Sequence, residues 1–184
     1  SALLKSKKFG PFFATQFLGA FNDNIYKNTL MLIIAFNASD ALGMDTNLVL
    51  NLAAGLFILP FFLFSGIAGQ ITDKYEKSFL IRKIKLLEIG IMLAAAIGFM
   101  YEQYLFLLVL LFLMGTQSTF FGPAKYAILP QHLKPEQLVG GNALVEMGTF
   151  VAILVATISA GIIMQFDSYL QITSILVVVL AILG

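Results

Sequence analysis

Apolar residues fall in six long blocks, and the polar residues bunch between them. The blocks run over residues 9–36, 48–71, 84–100, 104–129, 138–166 and 169–184. A helix rises about 1.5 Å per residue and needs about 20 apolar residues to cross a bilayer core. Each block therefore predicts a membrane-spanning helix, complete or nearly so. Barrel strands take about ten residues and alternate in polarity; these blocks do neither. Polar loops are expected at 37–47, 72–83, 101–103 and 130–137. The pattern predicts an all-α membrane protein with six spans.

Composition agrees. Hydrophobic residues make up 59% and charged residues 11% of the 184, with a mean hydropathy of +0.92. A soluble domain is about half apolar and about a quarter charged, so too little polar surface is left to cover a water-facing enzyme domain. With 18 Phe, disorder is excluded as well. The absence of Cys removes disulfides, thiolate nucleophiles and zinc-finger spacings. One histidine, His132, makes no metal cluster, and its place between Pro130 and Pro135 predicts a solvated loop. No nucleophile–base set or phosphate loop is present, so neither catalysis, a cofactor nor a nucleic-acid partner is expected. The first block is too long for a cleaved signal peptide and carries Asn22, Asp23, Asn24 and Lys27. The last block ends at Gly184, short of a comfortable span, and the chain opens on Ser1. A piece of a longer protein is the expectation.

Charge placement orients the spans. Lys5, Lys7 and Lys8 precede the first. Lys74, Lys77, Arg82, Lys83 and Lys85 lie around the second loop, and Lys134 lies in the fourth. These nine basic residues share one side and the opposite loops carry none. The positive-inside rule then puts the N-terminus in the cytoplasm and Asp40, Asp45, Glu102 and Asp167 outside.

Polar groups inside the spans point to function, because a charge at the bilayer centre costs about 2.5–3.5 kcal/mol on insertion scales. Gln16, Ala20, Asp23 and Lys27 form one stripe at helical spacing, with Asn24 at its edge. Phe12, Leu18, Ile25 and Leu32 lie opposite and suit lipid. In the fifth span Asn142, Glu146, Thr149, Thr157 and Ala160 share a face. In the fourth, Ser118 and Lys125 are seven apart and nearly aligned. Substrate or ion binding is assigned to Asp23, Asn24, Lys27, Gln16, Lys125, Glu146, Asn142 and Ser118. Structural readings stand beside this. Asp23 and Lys27 form a self-neutralising ion pair, Lys125 snorkels to headgroups or clamps a neighbouring Asp, and Glu88 snorkels from one turn inside the third span. Pro60 and Pro123 predict helix breaks. Gly55, Gly66, Gly69, Gly115, Gly122, Ala152, Ala156 and Ala160 predict close packing.

The second loop reads Gly69-Gln70-Ile71-Thr72-Asp73-Lys74-Tyr75-Glu76-Lys77. It resembles the G-x-x-x-D-[RK]-x-G-[RK] signature of the major facilitator superfamily, with Glu76 in place of the second Gly. On that resemblance Gly69, Asp73, Lys74 and Lys77 form a conformational-switch loop. Asp73 would cap a helix or pair with a base. Three further stretches are similar to the bacterial lysophospholipid transporter family of that superfamily. They are Gln16-Phe17-Leu18-Gly19-Ala20-Phe21-Asn22-Asp23-Asn24, Gly122-Pro123-Ala124-Lys125-Tyr126-Ala127-Ile128-Leu129 and Leu138-Val139-Gly140-Gly141-Asn142-Ala143-Leu144-Val145-Glu146.

The resemblance implies residues 1–184 as an N-terminal six-helix half built from two inverted three-helix repeats, its second half lying elsewhere. It implies a transporter that flips lysophosphatidylethanolamine and lysophosphatidylglycerol across the bacterial inner membrane. Na+ or H+ is the coupling ion, membrane lipids surround it, and an acyltransferase, fused in some members, is a functional link. The rival readings are an ion-coupled facilitator of a water-soluble solute and a non-transporting anchor for a fused enzyme.

Overall fold

The computed structural model describes residues 2–38 and 43–184; Asp40, expected on the outer face, lies outside the described residues. Six long helices form: α1 (Phe9–Ile33), α2 (Thr46–Lys74), α3 (Lys77–Met100), α4 (Tyr104–Ala127), α5 (Leu138–Ile163) and α6 (Tyr169–Leu183). A π-helical turn, Ile34–Ala38, extends α1. Short turns at Ala2–Lys5, Leu129–His132 and Pro135–Gln137 complete the described chain, which contains no strand. By length and composition alone α2, α4 and Pro135–Ile163 suit a membrane crossing, and Tyr169–Leu183 is apolar but shorter. In α1 and α3 the polar residues buried within the bundle interrupt the apolar runs.

The helix ends differ from expectation where caps take over. Asp45 accepts from the Asn47 and Leu48 backbone N–H groups at 3.0 and 3.2 Å, so α2 starts at Thr46. Glu76 accepts from the Ser78 and Phe79 N–H groups at 2.9 and 2.6 Å. Capping of this kind satisfies backbone donors that a helix start leaves free. The expected loop 72–83 thus shrinks to Tyr75 and Glu76, and α3 begins seven residues earlier than the apolar pattern suggested. Its charged first turns are helical because polarity limits burial in lipid, not helix formation. The expected loop 130–137 is likewise mostly helical turn.

Neither proline breaks its helix: Pro60 lies within α2 and Pro123 within α4. Pro60 packs where α2 crosses α4 at Gly115. A Cβ on Gly115 would stand 3.2 Å from Pro60 Cγ and collide with the Phe57 carbonyl oxygen. Around Gly55, Gly66, Gly69 and Gly122, by contrast, a Cβ would meet nothing within 4 Å, so the close packing expected of them does not occur within this chain. On α5, Gly141, Val145, Gly148, Ala152, Ala156 and Ala160 form the buried stripe.

The packing has a simple order. α2 lies on α4, α1 on α5, α3 on both α4 and α6, and α6 also on α1. Exchanging α1 with α4, α2 with α5 and α3 with α6 maps this set of pairs onto itself. That is the internal symmetry of two three-helix repeats. Every one of these principal contacts joins one repeat to the other. The face of α1 opposite its polar stripe, expected to meet lipid, is covered instead. Phe12 packs with Ile128, Leu129, Leu133 and Val145, and Ile25 joins the main core with Met92, Phe99, Leu107 and Val177.

Candidate functional site

The polar stripe of α1 looks into a cavity of about 270 Å³. α1 supplies Gln16, Gly19, Ala20, Asp23 and Asn24, α4 supplies Gln117, Ser118, Phe121 and Lys125, and α3 supplies Glu88. Thr149 and Ile153 of α5 and Phe57 and Phe61 of α2 close the walls. Five of the eight binding residues expected from sequence therefore meet in one place: Gln16, Asp23, Asn24, Ser118 and Lys125.

Asp23 Oδ2 accepts from Ser118 Oγ at 2.6 Å. The same hydroxyl lies 3.2 Å from Gln117 Oε1. Gln117 Nε2 donates to Glu88 Oε2 at 3.2 Å, and Lys85 Nζ donates to that oxygen at 2.5 Å. Asn22 Nδ2 reaches Val177 O at 3.0 Å and Glu88 Oε1 at 3.5 Å. A continuous buried chain thus runs Lys85–Glu88–Gln117–Ser118–Asp23. Room for Lys85 comes from Gly19, where a Cβ would stand 3.3 Å from its Nζ.

At the other end of the cavity Lys125 Nζ lies 3.5 Å from Thr149 Oγ1 and over the Tyr126 ring. Thr149 Oγ1 lies 3.2 Å from Gln16 Oε1 and donates to Val145 O at 2.9 Å. Asn24 turns back on its own helix and donates to Ala20 O at 2.8 Å. Two buried atoms of cavity-lining residues have no protein partner: the donor Gln16 Nε2 and the acceptor Asp23 Oδ1. Buried polar groups are ordinarily satisfied, so unpartnered ones at a cavity are where a ligand can bind.

Several expectations are corrected. Asp23 and Lys27 do not pair: among the described residues the ion pair is Lys85–Glu88, and Lys27 Nζ sits 4.9 Å above the Phe57 ring. Lys27 lines a neighbouring pocket with Asn28, Met31 and Phe57, and Phe57 lines both this pocket and the main cavity. Asn142 and Glu146 are exposed on α5 and do not line this cavity, although Glu146 lies close enough to Lys125 to interact with it electrostatically. Glu88 does not snorkel. It is 1% exposed near the middle of α3, and Lys85, counted among the loop charges, folds inward to meet it. In the 69–77 segment Gly69 meets no neighbour and Asp73 is exposed. Glu76, not Asp73, caps α3. Lys74 lies over the Tyr75 ring and Lys77 reaches Tyr75 O at 3.4 Å.

Two groups outside the spans are electrostatically shifted. Backbone hydrogen bonds from Ser78 and Phe79 hold the Glu76 carboxyl below its usual range. Burial, then nearby Lys8, holds His132 low; its ring is half-buried, 6.0 Å edge-on from Phe12, not a solvated loop residue.

Sequence reading missed Glu88, Gln117 and Lys85 as members of this site. The available signal was Glu76-Lys77-Ser78-Phe79, a cap that moves the start of α3 and so places Glu88 at mid-helix.

Residues 12–184 match the Major Facilitator Superfamily. Among curated relatives, proteins named lysophospholipid transporter LplT are similar. That of Salmonella typhi is 32% identical over 148 residues, 80% of this chain and 34% of the relative. That of Serratia proteamaculans is 29% identical over 147 residues, again 80% and 34%. The chain spans about a third of the length of these relatives. No solved structure matches it.

Proposed function

The chain belongs to the major facilitator superfamily, and on that premise we propose that it is the N-terminal six-helix half of a secondary lysophospholipid transporter. The whole protein moves lysophosphatidylethanolamine and lysophosphatidylglycerol across the bacterial inner membrane by alternating access. Its N-terminus is cytoplasmic, its second half completes the cavity, and an acyltransferase consumes the lysolipid delivered. The names of the similar transporters support this substrate class.

One observation carries the reading: a single cavity offers a cation and a free donor at one end and a free carboxylate oxygen at the other. Lys125 and Gln16 Nε2 suit the phosphodiester common to both lipids, Asp23 Oδ1 suits the ethanolamine ammonium or the glycerol hydroxyls, and the Asp23 carboxylate suits a coupling proton. Phe57, Phe61 and Phe121 line the same space and favour a ligand that brings an acyl chain over a fully water-soluble solute. The exposed Asp73 and Lys74 and the half-buried Lys77, at the boundary between α2 and α3, act in conformational switching and not in lipid contact.

Uptake of labelled lysolipid by spheroplasts carrying the full-length protein tests this, with and without a Na+ or proton gradient. Gradient-dependent uptake lost in Lys125→Ala is expected. Uptake no greater than in cells lacking the protein overturns it.

A further inference from the structure

We propose that Gln117 and Glu88 are positioning residues that set the proton affinity of Asp23 through the Ser118 hydroxyl. The inference rests on the reading of Asp23 as the proton-binding carboxylate.

Ser118 has one hydroxyl hydrogen and two acceptors within reach, Asp23 Oδ2 at 2.6 Å and Gln117 Oε1 at 3.2 Å. A hydroxyl rotates to suit its partners. While Asp23 is ionised, the hydrogen belongs on Oδ2, since bonds to a charged acceptor are stronger. Once Oδ2 takes a proton, it becomes a donor to Ser118 Oγ, and the Ser118 hydrogen must turn elsewhere. Gln117 Oε1 is the acceptor waiting for it.

That acceptor is present only because the Gln117 amide is held one way round. Its Nε2 faces Glu88 Oε2 at 3.2 Å, an oxygen that also accepts from Lys85 Nζ, so the amide nitrogen belongs on that side and the amide oxygen faces Ser118. Lys85 Nζ donates to Glu88 Oε2 at 2.5 Å, which marks that oxygen as an acceptor. Glu88 thus acts on Asp23 without touching it. The other charged groups facing the pair are Lys27 on α1 and Lys125 on α4. α2 presents Phe57 and Phe61 there, the exposed Glu146 of α5 acts on Lys125, and α6 has no charged side chain.

The chain predicts shifts of opposite sign. Gln117→Met keeps the bulk but removes the second acceptor. The protonated state of Asp23 then loses a hydrogen bond, and proton affinity falls about tenfold. Ser118→Ala removes the one donor that meets Asp23 among the described residues, and proton affinity rises by a similar factor. The readout is the midpoint of the pH profile of lysolipid uptake by full-length protein in proteoliposomes at fixed Na+. The expected midpoint moves about one pH unit lower in Gln117→Met and one higher in Ser118→Ala. In each variant it moves more than the affinity for lysolipid does.

Shifts of the same sign, or no shift in either the Gln117→Met or the Ser118→Ala protein, overturn the relay. Asp23→Asn separates the two levels. If it abolishes the pH response while the other variants leave the midpoint in place, the relay alone fails. If it leaves the wild-type profile intact, Asp23 is not the proton-binding group and both readings fail together.

Discussion

Glu88→Gln removes the anion that Lys85 was buried to meet. Glu88 is 1% exposed, and the side chains of Lys85 and Glu88 are 12% and 2% exposed. Breaking a buried pair by deleting one partner costs about 3–5 kcal/mol, because the other charge is left without compensation. Lys85 keeps a little exposure, so the lower end, about 3 kcal/mol, is expected. Lys85→Met is milder, about 2 kcal/mol, because Glu88 retains donors in Gln117 and Asn22. The double variant leaves a neutral amide beside a thioether and should fall within about 1 kcal/mol of the wild type. The coupling between the positions is then roughly 4 kcal/mol, far above the few tenths seen for independent sites. Thermal unfolding of the full-length protein in detergent, run as a double-mutant cycle, reads this directly. The expected order of stability is Glu88→Gln lowest, then Lys85→Met, then the double variant close to wild type. Additive losses in the double variant would refute the buried pair.

Gly115→Ala should destabilise by about 1–3 kcal/mol through collision with the Phe57 backbone. Gly122→Ala on the same helix meets nothing and should gain up to about 1 kcal/mol of helix propensity; melting temperatures of the two check the contrast. Lys27→Met should not rescue an Asp23→Asn protein in transport assays, because Lys27 rests on Phe57 and not on Asp23; a rescued variant would restore the discarded ion pair. The depressed Glu76 carboxyl contributes its cap fully above its unfolded value and loses it as pH falls through the lower folded one. Hydrogen exchange at Ser78 and Phe79 should therefore accelerate in acid and be fast at neutral pH in Glu76→Ala. Cysteines replacing Lys77 and Glu102 should label from the cytoplasmic and outer faces respectively.

The six long helices were legible because each holds an apolar run that no loop imitates. Gln16, Asp23, Asn24, Ser118 and Lys125 were legible because each is a polar residue inside such a run. Lys85 and Glu88 were not, since they adjoin Arg82 and Lys83 and look like the edge of the membrane. Only the Glu76 cap shows that α3 is already two turns old at Lys85. Phe12 and Ile25 were misplaced toward lipid for a different reason. A neighbouring helix is as apolar as a lipid tail, so periodicity distinguishes polar from apolar faces and not protein from bilayer. The exposure of Asn142 and Glu146 was hidden because a face drawn at helical spacing is wide, and the small residues of α5 alone select the side that meets α1.

The pairing of every principal contact across the two repeats bears on how the protein is made. A ribosome delivers α1, α2 and α3 first, and none of these has its main partner among the other two. They must wait in the bilayer, side by side yet unpacked, until α4 appears. Asp23 then sits in the membrane until Ser118, 95 residues later, is synthesised. Glu88 at least arrives with its own counter-ion three residues away. The lysine that completes the site in the finished protein is thus also the companion that lets residues 84–100 of the third helix enter the membrane with no net charge.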